Sequence, residues 1–394
     1  ADDELSNASF DSSKVLTQSL DGSIYIAGTT LGNLDGQNHT SGVNAYEEDI
    51  FVSKFDSEGN RKWTTQFGGT QMQSNALGGR DKVTGITSDQ NGATYVIGGT
   101  QGPLNGEYNP SGPNSLYGDY YYSGYITKLN VDGGIEWTQI LGNQFGNNLS
   151  QVAISNDGFI YVAGDGGVDG QEEDGSVFLF KFDSDGQQKW SQFLGSGTNK
   201  LSDLVLDENG NIYLVGDSLW GADFEGNTNF GQNTHDAFVS KISSDGTKEW
   251  NKLISPSNVY GIYDGPDVTS SSIVVVEEDI YVAGFTEDDL DGQIHSSGWD
   301  KDTPDLKDLF ISNFQSDGTK KWTKLYDNFN TTYPLNVNLF TDENRSIYLS
   351  GYDGYDHYEN IFDEESVTLT KIDSNGEFDI TYSFVSVTNQ MLDL

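Results

Sequence analysis

The sequence predicts an all-β fold, a β-propeller of six four-stranded antiparallel blades, with seven the alternative count. Three observations carry this. A decapeptide recurs six times without gaps: Lys54–Trp63 (KFDSEGNRKW), Lys128–Trp137 (KLNVDGGIEW), Lys181–Trp190 (KFDSDGQQKW), Lys241–Trp250 (KISSDGTKEW), Asn313–Trp322 (NFQSDGTKKW) and Lys371–Ile380 (KIDSNGEFDI). Upstream of each copy stands an Ile/Thr-Tyr-aliphatic-x-Gly core ending at Gly28, Gly98, Gly164, Gly216, Gly284 and Gly351. Finally, only 35% of residues are hydrophobic, while Gly numbers 47 and aromatics reach 12%, which suits short strands joined by tight turns.

Each repeat yields its strands in order. Strand A is an apolar run such as Val83 to Ile86 or Ile273 to Val276, closed by a turn such as Asp207-Glu208-Asn209-Gly210-Asn211. Strand B is the Tyr-containing core, whose alternating apolar residues stopped by Gly read as a short buried strand. Strand C opens with Asp49, Ser123, Ser176, Asp236, Asp308 or Ser366, and strand D carries the Trp. Between C and D the turn glycines, Gly59, Gly133, Gly186, Gly246, Gly318 and Gly376, supply positive φ, and the Asp or Asn before most of them is placed to bond the turn's own amides. These Asp-x-Asp-Gly turns read as capped hairpins rather than calcium loops, because the remaining ligands of such a loop are missing. Trp63, Trp137, Trp190, Trp250 and Trp322 are expected to wedge between blades, with Ile380 as the exception. A repeat period of about 50 to 70 residues makes 1–394 one domain, with blades at about 13–69, 81–143, 148–196, 199–255, 266–328 and 335–384.

The formal charge of −41, from 61 acidic and 20 basic residues, repels phosphate backbones and excludes nucleic acid as a partner. Cysteine is absent, which removes disulfides, thiol nucleophiles and thiolate metal sites. No apolar run is long enough for membrane insertion. The start at Ala1-Asp2-Asp3, without methionine, reads as a processed form, so the expected location is secreted or cell surface.

The succession of VTGI, GNIYVAG, DAFVSK and SDGTKEW-type segments resembles the SBBP-type β-propeller repeat of bacterial secreted and surface proteins, from about Val15 to Phe384. The resemblance implies a scaffold without a shared catalytic set, and its family name implies seven blades where six copies are counted. Quinoprotein and sialidase propellers share part of the C–D hairpin. The Asp-box spacing, the sialidase arginine cluster and the quinoprotein cysteine pair are not found here.

Function is expected in the B–C connections, which run about 12 to 25 residues and vary in content on a regular scaffold. They hold His39, His235, His295 and His357, together with Trp220, Trp299 and the cluster Tyr108, Tyr117, Tyr120, Tyr121 and Tyr122. Exposed rings beside Asp and Asn suit a glycan or protein ligand, so Trp220, Trp299, Tyr108, Tyr117, Tyr121 and His295 are the candidate ligand-binding residues. The same loops repeat a Leu-Asp-Gly-Gln element at 34–37, 104–107, 168–171, 224–227 and 290–293. An acid from it and the acid opening strand C suggest an oxygen-only calcium site in blades 1 and 5, with Asp35, Asp49, Asp291 and Asp308 as ligands. No catalytic residue is assigned. The expected function is a calcium-stabilised secreted or cell-surface module for adhesion or carbohydrate binding, which takes a glycan or a protein through its long B–C loops. The alternatives are a polysaccharide-acting hydrolase or lyase and a structural module of a larger surface assembly.

Overall fold

The computed structural model describes residues 11–40, 48–69, 80–109, 122–141, 148–167, 175–219, 222–228, 234–257, 267–295, 307–331, 337–342, 344–353 and 366–385. Every described regular element is a strand, and the fold is all-β with six four-stranded antiparallel blades. The chain divides into two compact units, 1–194 and 195–394.

The first unit contains blade 1, of β1 (Asp11–Gln18), β2 (Ile24–Thr30), β3 (Asp49–Phe55) and β4 (Arg61–Phe67), and blade 2, of β5 (Asp81–Ser88), β6 (Thr94–Thr100), β7 (Ser123–Leu129) and β8 (Ile135–Leu141). Blade 3 completes it with β9 (Asn148–Ile154), β10 (Ile160–Gly167), β11 (Gly175–Phe182) and β12 (Gln188–Leu194). The second unit opens with blade 4, of β13 (Asn199–Leu206), β14 (Ile212–Leu219), β17 (His235–Ile242) and β18 (Lys248–Ile254), which carries a two-stranded outgrowth, β15 (Asp223–Phe224) and β16 (Asn227–Thr228). Blade 5 has β19 (Val268–Val276), β20 (Asp279–Thr286), β21 (Lys307–Gln315) and β22 (Lys320–Thr331). Blade 6 has β23 (Asn338–Thr341), β24 (Ile347–Asp353), β25 (Ser366–Ile372) and β26 (Phe378–Val385).

Within each unit the A strands of successive blades lie beside one another, β1 by β5 by β9 and β13 by β19 by β23. Core forms between blades, because successive strand residues point to opposite faces and both faces of an inner strand are covered. On β6, Val96 packs into the cluster with Tyr25, Val52 and Val83, whereas Tyr95 and Ile97 pack the other way, with Leu149 and Val162.

Strand B does not stop at its glycine as expected: β2 continues to Thr30 and β6 to Thr100. A bulge in strand A explains the residue instead. Register shifts between Ser13 and Val15 and between Val83 and Gly85 lean a strand A carbonyl over the glycine. A Cβ would lie 2.1 Å from Ser12 O at Gly28, 1.9 Å from Lys82 O at Gly98 and 2.0 Å from Lys200 O at Gly216.

Three of the repeat tryptophans join neighbouring blades through the indole nitrogen, whereas Trp190 Nε1 is buried without a hydrogen-bond partner among the described residues. Trp63 Nε1 donates to Val131 O at 2.9 Å, Trp137 to Ser184 O at 3.1 Å and Trp250 to Ser316 O at 3.0 Å, each acceptor lying in the next blade's C–D turn. That turn's glycine is needed twice over. Gly133 has φ +84°, and a Cβ there would stand 2.7 Å from the Trp63 ring. Behind each indole lies the strand B tyrosine, with ring centroids 6.0 Å apart for Tyr25 and Trp63 and 6.3 Å for Tyr213 and Trp250. The strand C lysine covers that tyrosine, Lys54 at 5.1 Å and Lys241 at 5.6 Å from the ring centre. In blade 6 Ile380 is 45% exposed, and Phe378 instead stacks on Tyr326 of blade 5 at 4.3 Å.

Candidate functional site

The turn acids are occupied by their own backbone. Asp183 Oδ1 accepts from the amides of Asp185 at 3.1 Å and Gln187 at 2.8 Å, and Asp56 accepts likewise from Glu58 and Asn60. The cap in these blades is thus the residue three before the glycine, not the one adjoining it. The adjoining acid takes over where the first position lacks a carboxylate or amide cap, as at Asp245, whose carboxyl is held down to about 2 by the Ser243 hydroxyl and the Thr247 amide.

At the B–C end, the Leu-Asp-Gly-Gln element is a two-residue hairpin with both central residues left-handed: φ is +53° and +79° at Asp35-Gly36, +52° and +90° at Asn105-Gly106, and +51° and +79° at Asp291-Gly292. The residue before the turn plugs the blade, Leu104 and Leu290 being fully buried. The central side chain docks on strand D of the same blade. Asp35 Oδ2 accepts from Thr64 Oγ1 at 2.6 Å, Asn105 Nδ2 donates to Thr138 Oγ1 at 2.8 Å, and Asp291 Oδ2 accepts from Thr323 Oγ1 at 2.6 Å. Arg61 and Lys320 complete the clamps on Asp35 and Asp291.

The four acids expected as calcium ligands stand at two levels of their blades. Asp35 sits at the level of Thr64, the strand partner of Ser53, whereas Asp49 opens β3 four residues away. Asp49 Oδ2 accepts from the Thr40 amide at 2.7 Å and from Gln66 Nε2 at 3.0 Å, and the Gln66 carboxamide also binds Leu34 N–H and Gly32 C=O. Asp308 is likewise buried away from Asp291, with Oδ1 3.8 Å from His295 Nε2. Each acid has its own protein partners. Among the described residues, no group of three His, Asp or Glu side chains is arranged to hold a metal.

Of the ligand-binding candidates, Tyr108 stands 72% exposed just beyond its hairpin. His295, by contrast with the exposure expected of it, is only 3% exposed and lies beside Asp308. Trp220, Trp299, Tyr117 and Tyr121 lie outside the described residues. Ile294, unflagged by its type, is 83% exposed at the position in blade 5 next after Gln293, as Tyr108 follows Glu107 in blade 2.

Sequence reasoning also missed an ionisable cluster in the second unit, where strand ends of blades 4 and 5 meet. Burial raises the Asp217 carboxyl to about 7, against the lowering effect of Ser270 N–H, which donates to it at 2.8 Å. Burial likewise raises Asp236 to about 6, with the Ser255 hydroxyl opposing and the Asp267 charge assisting. Burial pushes His235 down while Asp267, 3.8 Å from its Nδ1, pulls it up. Asp217 follows the strand B glycine, where blades 1, 2 and 5 have Thr29, Gly99 and Phe285 but blade 3 also has an acid, Asp165, so position alone did not single it out.

The A–B end of the first unit holds an open cleft of about 490 Å³ across the turns of blades 1, 2 and 3. In the second unit, the corresponding turns are tied by Arg345, which donates to Glu277 at 2.8 Å and Glu208 at 2.9 Å.

No protein-family model matches the chain. Over 168 residues, 41% of its length, it is 27% identical to the regulatory protein FlaEY of Caulobacter vibrioides, and the match spans 16% of that relative. Among solved structures, polysaccharide lyase Uly1 aligns with 95% of this chain and 89% of its own at a TM-score of 0.46 and 11% identity. A PL25 ulvan lyase covers 75% and 69% at 0.40 and 15%, and the cobalt-substituted apocarotenoid oxygenase of Synechocystis covers 97% and 82% at 0.44 and 11%.

Proposed function

We propose that the chain is a non-catalytic, secreted or cell-surface propeller module of the SBBP-repeat kind that binds a glycan or protein through its B–C hairpins. The observation that supports this most is the exposure of Tyr108 and Ile294 at equivalent places of two hairpins whose geometry is fixed by left-handed turns and docking onto strand D. A large side chain held in water on a rigid support costs little ordering entropy when a ligand covers it. The test is a glycan array and a surface-protein array probed with wild type, Tyr108→Ser and Ile294→Ser. Signal lost in either variant at unchanged melting temperature supports the reading; identical profiles overturn it. Calcium enters the proposal as a stabiliser of these loops near the buried Asp49 and Asp308. Equal melting temperatures in calcium and in chelator would remove it.

A second reading, a polysaccharide-acting enzyme, draws on Asp217 and Asp236, carboxyls raised to about 7 and about 6 in one cluster, as an acid catalyst requires. Release of reducing ends by wild type but not by Asp236→Asn would favour it.

A further inference from the structure

The A–B turns of the first unit repeat one geometry with different side chains. Ser19, Asp89 and Ser155 start them, and Gly22, Gly92 and Gly158 close them at φ +80°, +79° and +84°. The second position of each turn therefore projects from equivalent backbone, and it is occupied by Leu20, Gln90 and Asn156, all lining the cleft. The side-chain carboxamides of Gln18, Gln90, Asn91 and Asn156 make no hydrogen bond among the described residues, and Ser88 Oγ, closed off from solvent beside them, has no partner either. Leu20, 84% exposed, adds an apolar step.

A carboxamide offers two donors and an acceptor in one plane, the combination that meets vicinal hydroxyls. The acids of the turns are partly turned inward, Asp89 Oδ1 to the amides of Asn91 and Ala93, each at 2.9 Å, and Asp157 Oδ1 to Ser155 Oγ at 2.5 Å. Their remaining oxygens accept hydroxyl hydrogens but repel carboxylates and sulfates, as does the net charge of −41. The first position to differ between the units is this same one: Glu208 stands there in blade 4, and its carboxylate is committed to Arg345.

We infer that the A–B cleft of the first unit is a binding site for an uncharged oligosaccharide, with Gln90 and Asn156 bonding adjacent hydroxyls and Leu20 packing on a ring's C–H face. The site is at the opposite ends of the strands from the B–C hairpins and does not depend on the reading given to them.

The test is calorimetric titration of the whole chain with cellohexaose, xylohexaose and mannohexaose, and with an oligogalacturonate of matched length. At least one neutral hexasaccharide is expected to bind, and the oligogalacturonate not. Gln90→Glu with Asn156→Glu, which copies the acidic character of the second unit, should weaken binding by about tenfold or more through the lost hydrogen bonds. Both positions are exposed, so the melting temperature should hold. Tyr108→Ser, at the other strand ends, should bind the hexasaccharide like wild type, which separates failure here from failure of the B–C reading. Absence of binding by all three neutral probes, equal binding of the oligogalacturonate, or an unchanged affinity in the double variant overturns the inference.

Discussion

The two units carry the same blade and finish its A–B end differently. In the first, the left-handed residue of each turn is glycine and the second position holds Leu20, Gln90 and Asn156, which line an open cleft together with the turn acids Asp89 and Asp157. In the second, blade 4 keeps a glycine, Gly210 at φ +75°, but in blades 5 and 6 Glu277 and Arg345 themselves take positive φ, +58° and +62°, and Arg345 forks between Glu277 and Glu208. The same turn recurs in blades 1 to 4 and 6, whereas blade 5 shortens it to Glu277-Glu278 between Val276 and Asp279, so turn length and the side chains mounted on it together decide whether an end is free to meet a ligand or is satisfied internally.

The comparison breaks first if the scaffold is not in fact shared. Gly98→Ala and Gly216→Ala place a methyl 1.9 and 2.0 Å from a strand A carbonyl, which backbone must move to accept. Each should cost about 3 kcal/mol, the upper range for overpacking. Urea unfolding followed by tryptophan fluorescence measures it, and a loss confined to one unit's glycine would show that the bulge is not equivalent in the two. Next in size is the indole link. Trp137→Ala and Trp250→Ala remove the same hydrogen bond and ring contacts, and because both indoles are partly exposed the expected loss is about 2 to 3 kcal/mol, below that of a fully buried ring. Near-equal values sharpen the equivalence of the units.

How much of this was legible follows from what each residue answers to. The strand B tyrosine, the C–D glycine and the tryptophan answer to contacts repeated in several blades, so one pattern in the sequence exposed them together. An Asp-Gly pair in a long loop fits either a cation or a type I′ turn, and the contact of Asp35 with Thr64, 29 residues away, is not legible from local spacing. The loop position of His295 predicts exposure, whereas its surroundings come from Asp308 and the buried hairpin. Asp217 lies beside Ser270, 53 residues on, a pairing that no local spacing reveals.

Asp217 supplies a pH test of the difference between units. Its folded carboxyl is raised to about 7 from the ordinary 3.8, so the native state holds a proton that the unfolded chain has lost. Stability from this group is complete below about pH 4 and declines as pH rises through 7. Asp217→Asn should therefore gain on wild type at pH 8 by about 1 to 2 kcal/mol, discounted for the carboxyl's partial exposure, and the gain should vanish near pH 4. Denaturation midpoints across this range test it, and an advantage independent of pH would assign the effect to packing instead of ionisation.

The smallest effect belongs to the Arg345 fork. Its guanidinium is 53% exposed and its partners Glu208 and Glu277 are 79% and 69% exposed, so water competes for all three groups. Arg345→Ala should cost less than about 1 kcal/mol at low salt and close to nothing at high salt. Alanine is the informative replacement because it keeps a β-carbon at φ +62° and leaves the backbone cost nearly unchanged, whereas glycine would relieve it and mask the lost ion pairs. A loss that survives high salt would mean that the arginine packs the three turns together rather than neutralising their acids, and the second unit's A–B end would then differ from the first in shape as well as in charge.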